Sequence, residues 1–223
     1  MTTKKASPYS GFDDADTSKG RRNRQYLRHA GKYLLRVLEL REDQDPEEGD
    51  PFVAATVQVL HVFKGGTKRI DKDTKEVVED DPVEVGDVRD FYWVTGGKWK
   101  KLGWRDAKFF VMAAAGVDPA SPEASEINGA FFAVAVQTQA LRGQMLIVEQ
   151  VLGVKGKKSE NAGDPKIDTY CTALSDAART HADEKFATVP MPDLPDSDSD
   201  DAGSDDDDPR GTAGDFDDSD IPF

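Results

Sequence analysis

With only one cysteine, Cys171, among its 223 residues, the chain has no internal disulfide, so burial and hydrogen bonding must hold the fold. No apolar run approaches the roughly twenty residues that a membrane-spanning helix needs. Histidine is scarce: His29, His61 and His181 lie far apart, and with a single cysteine no zinc-ligand spacing arises. Gly96-Gly97-Lys98 lacks the spacing of a Walker-type phosphate loop. Carboxylates abound, but none sits in a recognisable catalytic motif, and the Asp205 to Asp208 run lacks the fixed ligand geometry of a selective cation site. These absences predict a non-enzymatic protein without metal or cofactor. Met1 to Lys5 leads into no apolar signal core, so the expected compartment is a reducing cytoplasm.

What the chain has in excess is aspartate, at one end. From Asp193 onward there are thirteen Asp and one basic residue, Arg210, so this stretch carries −12 of the formal −14 and leaves −2 for residues 1–192. A segment of Asp, Ser, Gly and Pro cannot bury enough apolar surface to fold and is expected to be disordered. The rest of the chain is uneven in charge. Residues 1–41 hold ten Lys or Arg against four acids.

The acidic stretch closes with Asp217, Asp218, Ser219, Asp220, Ile221, Pro222 and Phe223. Pro222 restricts the backbone, Phe223 offers a ring to a pocket, and a terminal carboxylate can meet an Arg or Lys on a partner. This ending resembles the acidic tip of bacterial single-stranded DNA-binding proteins, which finish Asp-Asp-Ile-Pro-Phe or with one Asp more. Asp220 through Phe223 match, and Ser219 interrupts the acids. The resemblance covers about seven residues and the character of the tail. It implies docking onto replication, recombination and repair enzymes, with Asp217, Asp218, Asp220, Ile221, Pro222 and Phe223 as the partner-binding residues. No motif in residues 1–190 matches the bacterial family, so the body looks more like a divergent phage-encoded member working in the host cytoplasm.

Along the chain, residues 1–25 read as a basic flexible arm and 26–155 as the folded, single-stranded DNA-binding domain. A linker and C-terminal helix follow at 156–190, and the acidic tail occupies 191–223. Alternating apolar residues predict strands over 32–40, 52–63 and 89–95, with a long hairpin at 64–82 that contains a short strand at 76–79. A helix is expected from about 105 to 115, stopped by Gly116 and Pro119. Strands four and five are expected at 131–138 and 144–152. Asp164-Pro165 reads as the start of a last helix presenting Ile167, Tyr170, Cys171, Leu174, Ala178 and His181 on one face. Three strands, a helix and two strands predict a mainly β fold: a five-stranded oligonucleotide-binding (OB) barrel with its helix between strands 3 and 4.

Single strands are bound by stacking bases on aromatic rings while cations follow the phosphates. Residues 91–108 supply both, and all three tryptophans fall within them. Tyr92, Trp93, Lys98, Trp99, Lys100, Lys101, Trp104 and Arg105 are the candidate DNA contacts there. Phe91 and Trp93 equally suit a barrel core, with Tyr92 on the opposite strand face. Trp104, after Gly103, equally suits an anchor for the helix. A second patch, Arg22, Arg24, Tyr26, Arg28 and Lys32, would add salt-dependent phosphate contacts.

The expected function is therefore a sequence-nonspecific protein that coats single-stranded DNA and recruits enzymes through its tip, with homo-oligomer formation left open. The alternative is a DNA mimic or decoy that sequesters host enzymes through the tip without binding DNA. A third reading is an annealing or recombination mediator, which would form rings or filaments.

Overall fold

The computed structural model describes residues 26–44, 50–71, 74–96, 100–156, 159 and 161–192. Six strands form one antiparallel sheet: β1 (His29–Gln44), β2 (Pro51–Ile70), β3 (Val77–Glu79), β4 (Val88–Val94), β5 (Met145–Val154) and β6 (Pro165–Ala173). Among the described residues three α-helices accompany it: α1 (Lys100–Ala114), α2 (Gly129–Thr138) and α3 (Asp176–Phe186). The two long strands β1 and β2 pair along their whole length, and β5 and β6 extend the sheet from the other edge of β1. On the far edge of β2, β4 pairs Phe52 to Gln58 and β3 pairs Lys68 to Ile70. The expected hairpin with a short strand is thus present, although β2 runs seven residues further than alternation alone suggested.

Alternation along the strands sorts side chains onto two faces. On the inner face Tyr33, Leu35, Val37, Val57, Val59, Leu146 and Val148 meet Phe110, Val111 and Ala114 of α1. On the outer face Leu34, Leu60, Met145 and Ile147 are covered by Leu174, just before α3, and by Ala178, Ala182 and Phe186, the apolar stripe of α3. Each fully buried Leu or Val contributes roughly 1.5–3 kcal/mol. The outer packing is locked by Arg36, whose guanidinium donates to the carbonyls of Phe186 at 2.8 Å and Val189 at 2.9 Å. Phe186 ends α3, so the guanidinium meets the negative end of the helix dipole, and the same carbonyl also accepts from the Val189 amide at 3.1 Å.

Three expectations are corrected. Residues 131–138 form α2 and not a strand. The Asn128 side chain accepts from the amides of Ala130 and Phe131, an N-cap that starts the helix despite its β-favouring residues. Residues 165–173 form β6 and not the start of a helix, which begins instead at Asp176 behind the Ser175 cap. Ile167 and Cys171 are four apart, a spacing that suits a helix face but equally one face of a strand. The sheet is also open: among the described residues β6 pairs only with β5, and no strand joins it to β4. The physical reason is that other groups fill that gap. Helix α1 packs against both β4 and β6, and Leu27 lies between the two ends of the sheet.

Among the described residues no helix is long and apolar enough to cross a membrane.

Candidate nucleic-acid interface

The gap between the sheet's two ends holds the candidate site. Leu27, buried, donates its amide to the Asp90 carbonyl on β4 at 3.1 Å, and its carbonyl accepts from the Gln150 side chain on β5 at 3.0 Å. Gln150 also donates to Thr169 Oγ1 on β6 at 3.4 Å. One residue of main chain thus ties the sheet ends together at the floor of an open cleft of about 520 Å³. Tyr26 and Arg28 flank Leu27 in sequence, so the same tie sets their side chains at the cleft.

The β4 wall alternates. Phe91 and Trp93 point inward, their rings parallel with centroids 6.0 Å apart, and both pack on Phe110 of α1. Tyr92 points the other way and is 45% exposed. Its ring lies 4.9 Å from that of Tyr26, itself 41% exposed, and the Arg28 guanidinium sits 4.8 Å from the Tyr26 ring centre. Phe52 supports Tyr92 edge-on at 6.3 Å. The result is a pair of exposed tyrosine faces with a cation against one of them.

Helix α1 forms the third side. A Cβ built on Gly103 would lie 1.7 Å from the Val94 carbonyl oxygen, so only glycine lets the helix backbone rest on the end of β4. That close approach delivers Arg105 and Phe109, one turn apart, to the cleft. The β6 wall runs from Ile167 to Cys171 and includes Tyr170, 57% exposed. Burial, with Asp106 nearby, pushes the Cys171 thiol up to about 12, so it holds no appreciable thiolate at neutral pH.

Charge on the walls is close to balanced. Arg28 and Arg105 face Asp106 and Asp168, with Arg105 bonded to Asp106 at 2.9 Å and Asp168 held by Lys166 at 2.8 Å. Asp90 is buried and accepts from Thr56 at 2.7 Å and Arg41 at 3.1 Å. Among the described residues no group of three His, Cys, Asp or Glu could hold a metal ion. The cleft therefore offers aromatic faces and hydrogen-bonding edges more than a field.

Of the residues singled out in the sequence, Tyr26, Arg28, Tyr92, Trp93 and Arg105 line this one cleft. Lys100 and Lys101 are exposed at the first turn of α1, with Lys101 one turn before Arg105. Trp104 faces elsewhere: its ring meets Phe132 of α2 edge-on at 5.3 Å, the anchoring role that its position after Gly103 also allowed. Lys32 stands on the outer face, with its ammonium 5.2 Å from the Phe63 ring. Arg22, Arg24, Lys98, Trp99 and the tip residues Asp217, Asp218, Asp220, Ile221, Pro222 and Phe223 lie outside the described residues. Phe109 and Tyr170 were missed. The spacing of Phe109 four residues after Arg105 could have revealed the first, whereas Tyr170 depended on reading β6 as a strand.

Comparison with known proteins places no family model on this chain, and no curated protein matches it.

Proposed function

We propose that the chain is a sequence-nonspecific single-stranded DNA-binding protein, without catalytic activity, that recruits replication, recombination and repair enzymes through its acidic C-terminal tip. The observation that carries the reading is convergence. Residues chosen from separate stretches of sequence for stacking and phosphate contact meet in one cleft, where the Tyr26 and Tyr92 rings pack against each other and stay partly exposed. Stacking on such rings tolerates any base, which accounts for binding without sequence preference.

The strand order supports an OB relationship. The meander β1–β2–β4, the helix α1 and the hairpin β5–β6 returning to β1 follow the connectivity of an OB barrel opened between its third and fifth strands. In this reading β5 and β6 take the places first assigned to residues 131–138 and 144–152. The opening coincides with the cleft.

The test is fluorescence-anisotropy titration of labelled oligo-dT with the full chain and with Tyr92→Ala, at low and moderate salt, with unlabelled duplex as competitor. The parent is expected to bind with weak duplex competition. Loss of the Tyr92 ring is expected to weaken binding by about 1–3 kcal/mol, roughly 5- to 150-fold. The near balance of charge on the cleft walls favours a second reading, a decoy that presents the tip without binding DNA. An absence of binding by the parent at low salt would select it.

A further inference from the structure

Across the lip of the cleft, the sheet register lines up Lys64, Lys32, Glu149 and Tyr170 on adjacent strands β2, β1, β5 and β6. Directly opposed residues of antiparallel strands point to the same face, so the four share the outer face. Contacts agree with this: Lys64 pairs with Glu149 at 2.8 Å, and the Lys32 ammonium sits 5.2 Å from the ring of Phe63, the neighbour of Lys64. Three strand spacings make the row roughly 14 Å long. Helix α3 covers Leu34 and Ile147, two positions further along β1 and β5, and the row lies beyond them. Tyr170 belongs to both regions, since it lines the cleft and is 57% exposed.

We infer that a single strand leaving the cleft crosses β6 at Tyr170 and continues along this row, with a base on the Tyr170 ring and phosphates on Lys32 and Lys64. The inference rests on the reading of the cleft proposed above and extends it to a second contact surface that shares Tyr170 with the cleft and is distinguished from it by Lys32 and Lys64. Two lysines against one glutamate keep the row net positive, in contrast to the balanced cleft walls. At one end Phe63, with the Lys32 ammonium against its ring, repeats the pairing of ring and cation seen at Tyr26 and Arg28, and the Tyr170 ring stands at the other end.

The experiment uses the full chain and two probes, dT oligomers of about 5 and about 20 nucleotides, chosen to lie within and beyond the reach of one OB-sized site. Lys32→Gln is expected to leave the short oligomer unchanged, to weaken the long one several-fold, and to lower the slope of log K against log salt by about 0.7, one phosphate contact. Tyr170→Ala is expected to weaken the long oligomer about 5- to 10-fold and Tyr170→Phe to restore it, since the ring and not the hydroxyl stacks. Thermal melting of each variant separates a binding loss from unfolding. If both variants bind the long oligomer as the parent does while Tyr92→Ala is weakened, the row is refuted and the cleft stands. If the parent binds neither oligomer, the cleft reading fails and the row with it.

Discussion

Gln139 makes a sharp prediction because it replaces a strand with a side chain. The β1–β5 ladder ends at Arg36 and Met145, and main-chain bonds from Val37 to Gly143 and Gln144 continue it by one step. Beyond that, among the described residues, the edge of β1 has no strand beside it, yet Leu40 is only 1% exposed. Its amide donates to Gln139 Oε1 at 3.0 Å and its carbonyl accepts from Gln139 Nε2 at 2.8 Å. One side-chain amide therefore makes the two hydrogen bonds that a neighbouring strand would make, and it fastens the end of α2 to the sheet. Nε2 also donates to Val136 within the helix, and Gln139 itself sits at φ 53°, in the left-handed region.

Gln139→Ala leaves a buried donor and a buried acceptor unpaired. At about 1–3 kcal/mol for each such group the loss is about 2–6 kcal/mol, nearer the lower figure where water enters the space vacated by the amide. Ala keeps the left-handed strain that Gln bears, whereas Gly does not. Gln139→Gly is therefore expected to be more stable than Gln139→Ala by about 1 kcal/mol while remaining less stable than the parent. Urea unfolding of the three proteins, with equal m-values as the check that the unfolded states are comparable, measures both differences. A Gln139→Ala loss below about 0.5 kcal/mol, or a Gly variant no better than the Ala variant, would refute the clamp.

Three further outcomes are expected. Gly103→Ala places a methyl carbon against the Val94 carbonyl, an overlap that backbone must absorb, and is expected to cost at least about 3 kcal/mol in a chemical melt. Gln150→Leu removes the donor to the Leu27 carbonyl; it is expected to cost about 1 kcal/mol and to weaken oligo-dT binding because Tyr26 and Arg28 lose their tether. His29 is buried 3.3 Å from Asp80, and burial outweighs that carboxylate to hold its pKa below the ordinary 6.5. The unfolded chain therefore takes up the proton first as pH falls, so stability declines from 6.5 downward until the folded pKa is passed, and His29→Gln should flatten that decline in thermal melts across the window.

The strands β1, β2, β4 and β5 were legible from sequence because apolar residues, many of them β-branched or aromatic, are dense in them, although in β1, β2 and β5 both faces carry buried apolar residues. Segments 131–138 and 165–173 exchanged identities for a local reason. Phe131 to Val136 mixes aromatic and β-branched residues with alanine, so its composition pointed to a strand while its conformation was decided by the Asn128 cap. In β6, Ile167 and Cys171 satisfied a helical spacing and Asp164-Pro165 imitated a helix start, although the cap with a hydrogen bond is Ser175, which accepts from Ala178. The site inherited both errors. Tyr92, Trp93 and Arg105 could be chosen from local pattern, but the wall opposite them is β6, and the tie through Leu27 spans 123 residues to Gln150, beyond any local signal.

Under the proposed function, the same long-range contacts bear on how binding and recruitment would be divided. Arg36 and Gln58 on the outer face fix the carbonyls of Phe186, Val189 and Pro190, the last of these by a 3.1 Å bond from Gln58 Nε2. The chain thus heads toward its acidic end from a fixed point on the face opposite α1, the helix that builds one side of the cleft. Among the described residues, those lining the cleft and those that fix Phe186, Val189 and Pro190 do not overlap. Substitutions at Tyr92 or Arg105 should consequently act on DNA affinity without altering how the tip is presented, and changes at Ile221 to Phe223 should act on enzyme capture alone. Pull-down of a replication enzyme by Tyr92→Ala at parental yield, together with parental oligo-dT affinity in a Phe223→Ala chain, is the expected pair of results. Loss of both activities in either variant would show that the two functions are coupled through contacts between tail and cleft.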